Sequence, residues 1–348
     1  MKSGFPDALE WRRDPITGVW VIVAPRRSER PYDFDASEEE GRSYPCVFCG
    51  GMEECTPDAV FCLQDDRGRW RVRVVPNKFP ALEREGKLFW EKEGLLYEKM
   101  GGFGVHEVIV ETPEHYASFV EFPLDQMERV VYTYRERMRT WEKEERLRYC
   151  LIFKNQGMQA GASMFHPHSQ LIATPVVPKR VEEELLRALD FYSREHRCVF
   201  CALMEEEGRI KTRLVFQNKH FLALVPYAAR FSYEVWILPL EHSAYFTEVE
   251  ELASFAEALQ VVLQALAEAL GKPVFNFVFH GAPYRRSPED EGHRFYYHWH
   301  LEIIPFPVRM AGFEWGTGFY INPMTPEKAA SVLRQLIDAK VGDHCGGN

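Results

Sequence analysis

One ordered set of residue types occurs twice in this chain, and that constrains its fold more than any other feature. The tetrapeptide Cys46-Val47-Phe48-Cys49 returns letter for letter as Cys198-Val199-Phe200-Cys201. Behind each copy comes a run of strand-like alternation ending in a turn, "WRVRVVPNKFPAL" and "TRLVFQNKHFLAL". Next, "HEVIVETPEHYASF" and "YEVWILPLEHSAYF" each read as a strand, a proline-containing turn and a histidine, His115 or His242. An amphipathic helix follows in each. Its apolar stripe is Met127, Val130, Val131, Tyr134, Met138 and Trp141 in the first copy. In the second, over 249–270, it is Leu252, Phe255, Leu259, Val262, Leu263 and Leu266. A further strand ("YCLIFKNQG", "FNFVFHGAP") and a loop then lead to a strand opening on His-x-His, "HPHSQLIATP" or "HWHLEIIPFP". Such a repeat predicts two tandem units, 1–176 and 177–348, joined near 177–197 by a linker and a helix. Long strands with one helix per unit predict an α+β fold, mostly antiparallel sheet with flanking helices. A last helix is expected from Thr325, a capping residue followed by Pro326 at the first helical position.

The 348 residues, 46% of them hydrophobic, suffice for one large core or two moderate ones. The formal charge of −10 argues against a nucleic-acid partner, which needs a basic surface, but is compatible with a local basic pocket for a phosphorylated small molecule. The start, "MKSGFPDALEWRRDP", has no apolar segment of the kind a signal peptide carries. No stretch approaches 18 uninterrupted apolar residues, so no membrane partner is expected. The expected location is cytoplasmic. In that compartment cysteines are metal ligands or inert thiols rather than a disulfide frame. Cys55, Cys62, Cys150 and Cys345 show no pairing pattern and read as ordinary thiols.

A closed zinc site takes four soft or borderline ligands in a tetrahedron, and a Cys-x-x-Cys turn supplies two of them. The first unit offers Cys46, Cys49, His115 and one of His166 and His168. The second offers Cys198, Cys201, His242 and one of His298 and His300. Two zinc ions per chain are therefore expected, with the first member of each pair, His166 and His298, as the fourth ligand. Residues either side of Pro167 point to one face of a strand. His168 is then a free imidazole held beside a structural metal, placed to act as base or nucleophile. The glycines and small side chains of "NQGMQAGAS", Gly161 among them, let backbone N–H groups approach an anion such as a phosphate. Ser163 and Gln170 add neutral donors. Histidine attack on phosphorus gives a phosphoramidate that can be turned over, which suits nucleotidyl transfer. The second unit has His-Trp-His-Leu-Glu and lacks the Gly-Ala-Ser run, so it is expected to keep a metal and the scaffold without the nucleophile.

Nearly end to end, the chain resembles the galactose-1-phosphate uridylyltransferase family of the histidine-triad superfamily. "EWRRDPITGVWVIVAPRRSERP" is similar to the family's N-terminal segment, "CVFCGGMEECTP" to its zinc knuckle, and "VVPNKFPAL" to its nucleotide-contacting turn. "GASMFHPHSQ" resembles the active-site motif, and "HWHLEIIP" and "AGFEWGTGFYINP" the C-terminal half. The resemblance implies two histidine-triad-like units and a double displacement. His168 attacks the α-phosphorus of UDP-glucose, releases glucose 1-phosphate and holds UMP covalently until galactose 1-phosphate collects it. It further implies that Gln170 hydrogen-bonds the transferring phosphoryl group, that Ser163 and Asn155 contact phosphate and nucleotide, and that Arg27, Arg30, Phe48 and Asn77 line the nucleotide pocket. Residues 309–322, with Glu314 and Asn322, are expected to contact the hexose or its phosphate. Family members are dimers with composite sites, so a homodimer is expected.

Some stretches depart from well-studied bacterial members. Those carry an Asn-Pro-His-Pro-His pattern, a glutamate-threonine-glutamine stretch near the sugar, and a second metal site of one glutamate and three histidines. Here the sequence has a Gly-Ala-Ser-Met-Phe lead-in, "WGTGFYINP", and Cys198 with Cys201. These features point toward a branch that includes ADP-glucose phosphorylases. The base and the sugar are therefore open between a hexose-1-phosphate uridylyltransferase and a nucleoside-diphosphate-sugar phosphorylase using inorganic phosphate. A third class, a non-enzymatic zinc-stapled binding protein, is disfavoured by the acidic charge and the intact His-Pro-His-Ser-Gln.

Overall fold

Apolar residues recur at alternate positions in the strand-forming segments, and each strand therefore has two unlike sides. The computed structural model describes residues 9–29, 46–115, 118–271, 274–306 and 310–345. The first half contains β1 (Glu10–Arg13), β2 (Trp20–Val23), β3 (Phe61–Gln64), β4 (Trp70–Pro76), β5 (Trp90–Glu93), β6 (Tyr97–Met100) and β7 (Val105–Val110). It continues with α1 (Leu124–Glu142), β8 (Tyr149–Gln156) and β9 (His168–Thr174). After α2 (Lys179–Glu195), the second half has α3 (Val199–Ile210), β10 (Leu214–Gln217), β11 (Phe221–Leu224), β12 (Val235–Pro239), α4 (Leu252–Leu270) and β13 (Phe275–His280). Two single turns, α5 (Pro288–Glu291) and α6 (His293–Tyr296), precede β14 (His300–Pro305). The chain ends with α7 (Gly312–Thr317), β15 (Tyr320–Asn322) and α8 (Pro326–Cys345).

Ten strands form one sheet in the order β10-β11-β12-β14-β13-β8-β9-β7-β4-β3. Every pairing in it is antiparallel. The order is palindromic: each strand of one half has its counterpart at the mirrored place in the other. The halves meet at the centre, where β13 pairs with β8 through Asn276 opposite Asn155 and Phe277 opposite Lys154. Strands β1 and β2, from the start of the chain, pair with β15 near its end in a separate small sheet.

One face of the large sheet carries Ile109, Ile152, Leu171, Ile237, Phe277, Phe279 and Ile303. It is covered by α1 and α4, whose expected apolar stripes are buried throughout, and by Ala330 and Leu333 of α8. Helix α4 is long and apolar enough, by length and composition, to cross a membrane, but its apolar residues pack into this core. The opposite face differs between halves. In the second, Leu222, Trp236 and Leu238 are covered by Val181 and Leu185 of α2 and by Val199 and Phe200 of α3. In the first, Val75, Val108 and Val110 meet only a small cluster with Phe48 and Trp70. This face carries the candidate site.

Two local expectations shift. The His-x-His strands begin at the second histidine, His168 and His300, two residues later than the pattern suggests. Pro167 has no N–H for a ladder, and the N–H of Trp299 is used by Ser243 O at 2.9 Å. The last helix starts as expected, with Lys328 N donating to Thr325 Oγ1 at 3.3 Å. Phe277 is fully buried on β13 against Phe119 and Tyr134. Phe277→Ala should lower unfolding free energy by about 3–5 kcal/mol, measured as a fall in denaturant midpoint at unchanged slope.

Candidate active site and metal clusters

Each Cys-x-x-Cys is brought to its histidines by the end of a strand. In the first half, Gly50 N donates to Pro113 O at 3.0 Å, tying the cysteine turn to the segment that carries His115. His166 donates from Nε2 to Thr112 O at 2.7 Å, which leaves its Nδ1 lone pair facing Cys49 Sγ at 3.8 Å. Nδ1 of His115 lies 3.4 Å from the same sulfur. The second half repeats this. His298 donates from Nε2 to Pro239 O and His242 to Arg294 O, and their Nδ1 atoms lie 3.7 and 3.3 Å from Cys201 Sγ. Here the cysteines sit at a helix start, Cys198 capping α3, rather than on a free turn. Within each set of four the ligand atoms lie within 4.8 Å of one another. Ordinary zinc–sulfur and zinc–nitrogen bonds in a tetrahedron put sulfur and nitrogen about 3.6 Å apart, so both sets have the spacing and donor type for such an ion. Backbone carbonyls on the far ring nitrogens fix the tautomers that ligation needs.

His168 opens β9 and is nearly buried. Its Nδ1–H donates to His166 O at 2.7 Å, so the lone pair is on Nε2. This is the backbone acceptor that a nucleophilic imidazole requires. Burial, and then the charge of Lys154, hold its pKa below the ordinary histidine value and keep the ring neutral. The Phe48 ring packs 5.6 Å from the His168 ring and 6.0 Å from that of His166, centroid to centroid. Two residues on, Gln170 shares the face of His168. Ser169 points the other way and joins Tyr134 and Glu111 in the core.

Beneath His168 lies a buried network that no motif in the sequence announces. Lys154 Nζ donates to Glu111 Oε2 at 2.5 Å and to His168 O at 3.0 Å. Tyr134 OH donates to Glu111 Oε1 at 2.7 Å. A signal was available: Lys154 falls in register with Cys150 and Ile152, on the core side of β8.

A cavity of about 470 Å³ opens beside His168, lined by Lys154, Asn155, Ser163, Phe165 and His166 among others. Asn155 Oδ1 accepts from Asn276 Nδ2 at 2.7 Å across the sheet centre. Residues 157–162 wind into a tight turn with Gly157 at φ +86 and Gly161 at φ +90, a conformation that favours glycine. This corrects one expectation. The N–H groups of Ala160, Gly161 and Ala162 are used inside the turn, by Gly157 O and Met158 O, and are not aimed at a ligand.

The remaining expected residues are dispersed. Arg27 is exposed on the 3₁₀ turn Pro25–Glu29 and does not line the cavity; Arg30 lies outside the described residues. Asn77 and Gln170 meet at His106. Glu314 caps α7, accepting from Ala311 N at 3.0 Å. Asn322 is 1% exposed, and its amide is used by Ala229 O, Ser232 Oγ and Met324 N. That burial removes Asn322 from the set able to touch a sugar.

In the second half, His300 keeps the same tautomer, its Nδ1 facing His298 O at 3.2 Å. It is fully buried. Glu184 from α2 occupies the equivalent space, meeting His280 Nδ1 and accepting from Tyr297 OH at 2.7 Å. His300 stacks on His280 and is pushed down to about 4 by burial and then by His280. Glu184, His280 and His300 form a third group whose ligand atoms lie within 4.8 Å. A glutamate and histidines are thus present alongside the cysteine set, and His298 belongs to the cysteines.

Paired units with a neutral, tautomer-locked histidine beside a Cys/Cys/His/His cluster define a nucleotidyltransferase-type site. Residues 6–178 match the family described as galactose-1-phosphate uridyl transferase, N-terminal domain. ADP-glucose phosphorylase of Arabidopsis thaliana is 34% identical over 334 residues, 94% of this chain and 93% of that protein. Galactose-1-phosphate uridylyltransferase of Thermotoga maritima is 33% identical over 339 residues, 94% and 98%. The crystal structure of the Arabidopsis thaliana ADP-glucose phosphorylase with bound ADP-glucose superposes with a TM-score of 0.81 at 32% identity, covering 94% of this chain and 99% of that one. The chain belongs to the galactose-1-phosphate uridylyltransferase family.

Both clusters are expected to contribute to folding, because ligand binding and folding are coupled at closed sites. Cys49→Ser and Cys201→Ser should each lower bound metal by about one equivalent per chain, read by elemental analysis, and lower Tm. Unchanged metal content in either variant removes that cluster.

Proposed function

We propose that this chain is a hexose-1-phosphate uridylyltransferase working by double displacement through His168. The observation that carries the reading is the lock of His168 Nδ1–H on His166 O, which presents Nε2 with its lone pair beside a cavity. In the first half-reaction Nε2 attacks the α-phosphorus of UDP-glucose. The nitrogen–phosphorus bond forms as the bond to the bridging oxygen breaks, and glucose 1-phosphate leaves with that electron pair. In the second, a phosphate oxygen of galactose 1-phosphate attacks the same phosphorus, the nitrogen–phosphorus bond breaks, and His168 returns to its neutral form. Gln170, Ser163 and Asn155 supply neutral donors to the phosphoryl group and nucleotide, and Phe48 packs against the nucleophile. Low His168 basicity suits this role, since the ring stays unprotonated.

Zinc fits both Cys/Cys/His/His sets and is proposed at two per chain, held by Cys46, Cys49, His115 and His166 and by Cys198, Cys201, His242 and His298. Its chemistry there is structural: it orders the cysteine segments that seat the His-x-His strands. The division into units 1–176 and 177–348, the homodimer, the cytoplasmic location and the role of Arg27 in phosphate binding belong to the same proposal. Glu314, on the exposed stretch around Trp315, is the proposed sugar contact.

A second reading is an ADP-glucose-type phosphorylase, in which inorganic phosphate collects the nucleotide from His168. It is favoured by the similarity to the Arabidopsis thaliana phosphorylase in sequence and in fold. Crossing UDP-glucose and ADP-glucose with galactose 1-phosphate and phosphate separates the two by product. His168→Asn should keep metal content and folding while losing covalent nucleotide labelling, with turnover down by roughly four orders of magnitude. Substantial turnover in that variant, or a label mapping to another residue, overturns both readings.

A further inference from the structure

His106 lies on β7, diagonally across from Gln170 on β9: Val108 stands opposite Gln170, and His106 opposite Ile172. Cross-strand partners share a face, so His106, Gln170 and His168 are on one side of the sheet. The hydrogen bonds around the imidazole determine where its proton is. The N–H of Ala81 donates to His106 Nδ1 at 3.1 Å. A nitrogen that accepts carries no proton, so the ring proton is on Nε2. Nε2 lies 2.8 Å from Gln170 Oε1 and donates to it. The amide of Gln170 is thereby oriented: its oxygen is held by His106, and its NH₂ is left without a protein partner among the described residues.

Asn77 follows the same logic. Its Oδ1 accepts from Phe79 N at 2.9 Å, and its own backbone N–H donates to His106 O at 2.9 Å. Its Nδ2 stands 3.1 Å from the protonated Nε2, a close approach of two N–H groups rather than a hydrogen bond. The Asn77 amide hydrogens are therefore also left for another acceptor. Two neutral amides converge on one ring N–H, and both present donors.

We propose that His106 is a positioning residue: its Nε2–H holds the Gln170 amide oxygen, so that Gln170 meets the phosphoryl group transferred to His168 as a donor and never as an acceptor. An unrestrained glutamine amide has two orientations of similar energy. One places carbonyl lone pairs against phosphoryl oxygens, where they repel the charge that builds in the transition state. The restrained amide offers only N–H, preorganised before the substrate arrives. The Ala81 N–H is part of the device, because it excludes the tautomer that would turn Gln170 over. This inference rests on the assignment of His168 as the nucleotidylated residue.

The test is a cycle on the full-length chain, read as the single-turnover rate of nucleotide label appearing on His168 from a nucleotide sugar. Removing one preorganised donor costs about 10²–10³-fold in such rates, which is the loss expected for Gln170→Ala. His106→Phe should lose about 10–10²-fold in the rate of labelling with little change in half-saturating nucleotide sugar. In the Gln170→Ala background it should cost nothing further. His106→Gln, which keeps a donor near the ε position, should recover most of the rate. A wild-type rate in His106→Phe, or a full loss persisting in the Gln170→Ala background, overturns the proposal. If His106→Phe misfolds, as seen by Tm and metal content, His106→Gln still decides: a loss as deep as that of Gln170→Ala in a folded protein counts against it. Nitrogen-15 NMR of histidine-labelled wild-type protein gives a readout independent of activity. Nε2–H at His106 is expected, and Nδ1–H sinks the inference whatever the reaction proves to be. Failure of the nucleophile assignment shows separately, as absence of label on His168 in the wild-type chain.

Discussion

The pairing of β13 with β8 places both halves on one sheet, and the rest of the architecture depends on it. Asn276 and Asn155 stand opposite each other on one side of the central strands, and Phe277 stands on the aromatic side with the buried Lys154 opposite it. The aromatic side, with α1, α4 and α8, forms a continuous core across the middle of the molecule. That core supports the polar side, where His168, Gln170 and Asn155 stand on neighbouring strands. Strand alternation then assigns each side chain to its side without further instruction.

Burying Lys154 carries an electrostatic cost near the site. Desolvation pulls its pKa below the usual lysine range, against the attraction of Glu111. A buried ion pair is weak support for stability, but it demands good geometry and full hydrogen bonding. Here the demand is met by Glu111, by the carbonyl of His168, and by Tyr134 and Ser169 on the other carboxylate oxygen. The effect is positional. The backbone at His168 is held from below by a cation and from the side by the His166–Thr112 bond. His168, the first residue of its strand, is thus kept from fraying.

The halves share one plan and differ by what covers the polar face. In the first, the sheet carries the cysteine turn and the glycine-bearing loop, which leave a cavity. In the second, α2 lies across the face and inserts Glu184 beside His280. Gln170 is replaced there by Glu302. Burial raises the Glu302 carboxyl, but Arg180 and Arg230 reverse this and hold it well below its ordinary range. A neutral amide in one half has become an anion in an internal ion-pair network in the other. His300 has the tautomer of His168 but is fully buried.

Local sequence patterns determined a good deal. The duplicated order of Cys-x-x-Cys, histidine, helix, strand and His-x-His predicts the two sets of four ligands, because short motifs at strand ends carry their spacing with them. The apolar stripes of α1 and α4 and the cap at Thr325 are legible for the same reason: periodicity and capping act over a single turn. What the sequence does not contain is which distant groups meet. Lys154 and Glu111 are 43 residues apart, and His106 and Gln170 are 64 apart. Neither pair has a motif, since each exists only through the register of β7, β8 and β9. The direction of Asn322 is likewise set by strand pairing. In a Gly- and aromatic-rich segment it looks like a ligand contact, yet β15 pairs with β2 and turns its amide into the protein. Chemistry that depends on residue type and short spacing was written in the chain; chemistry that depends on which face a strand presents, and what packs on it, was decided by the tertiary structure.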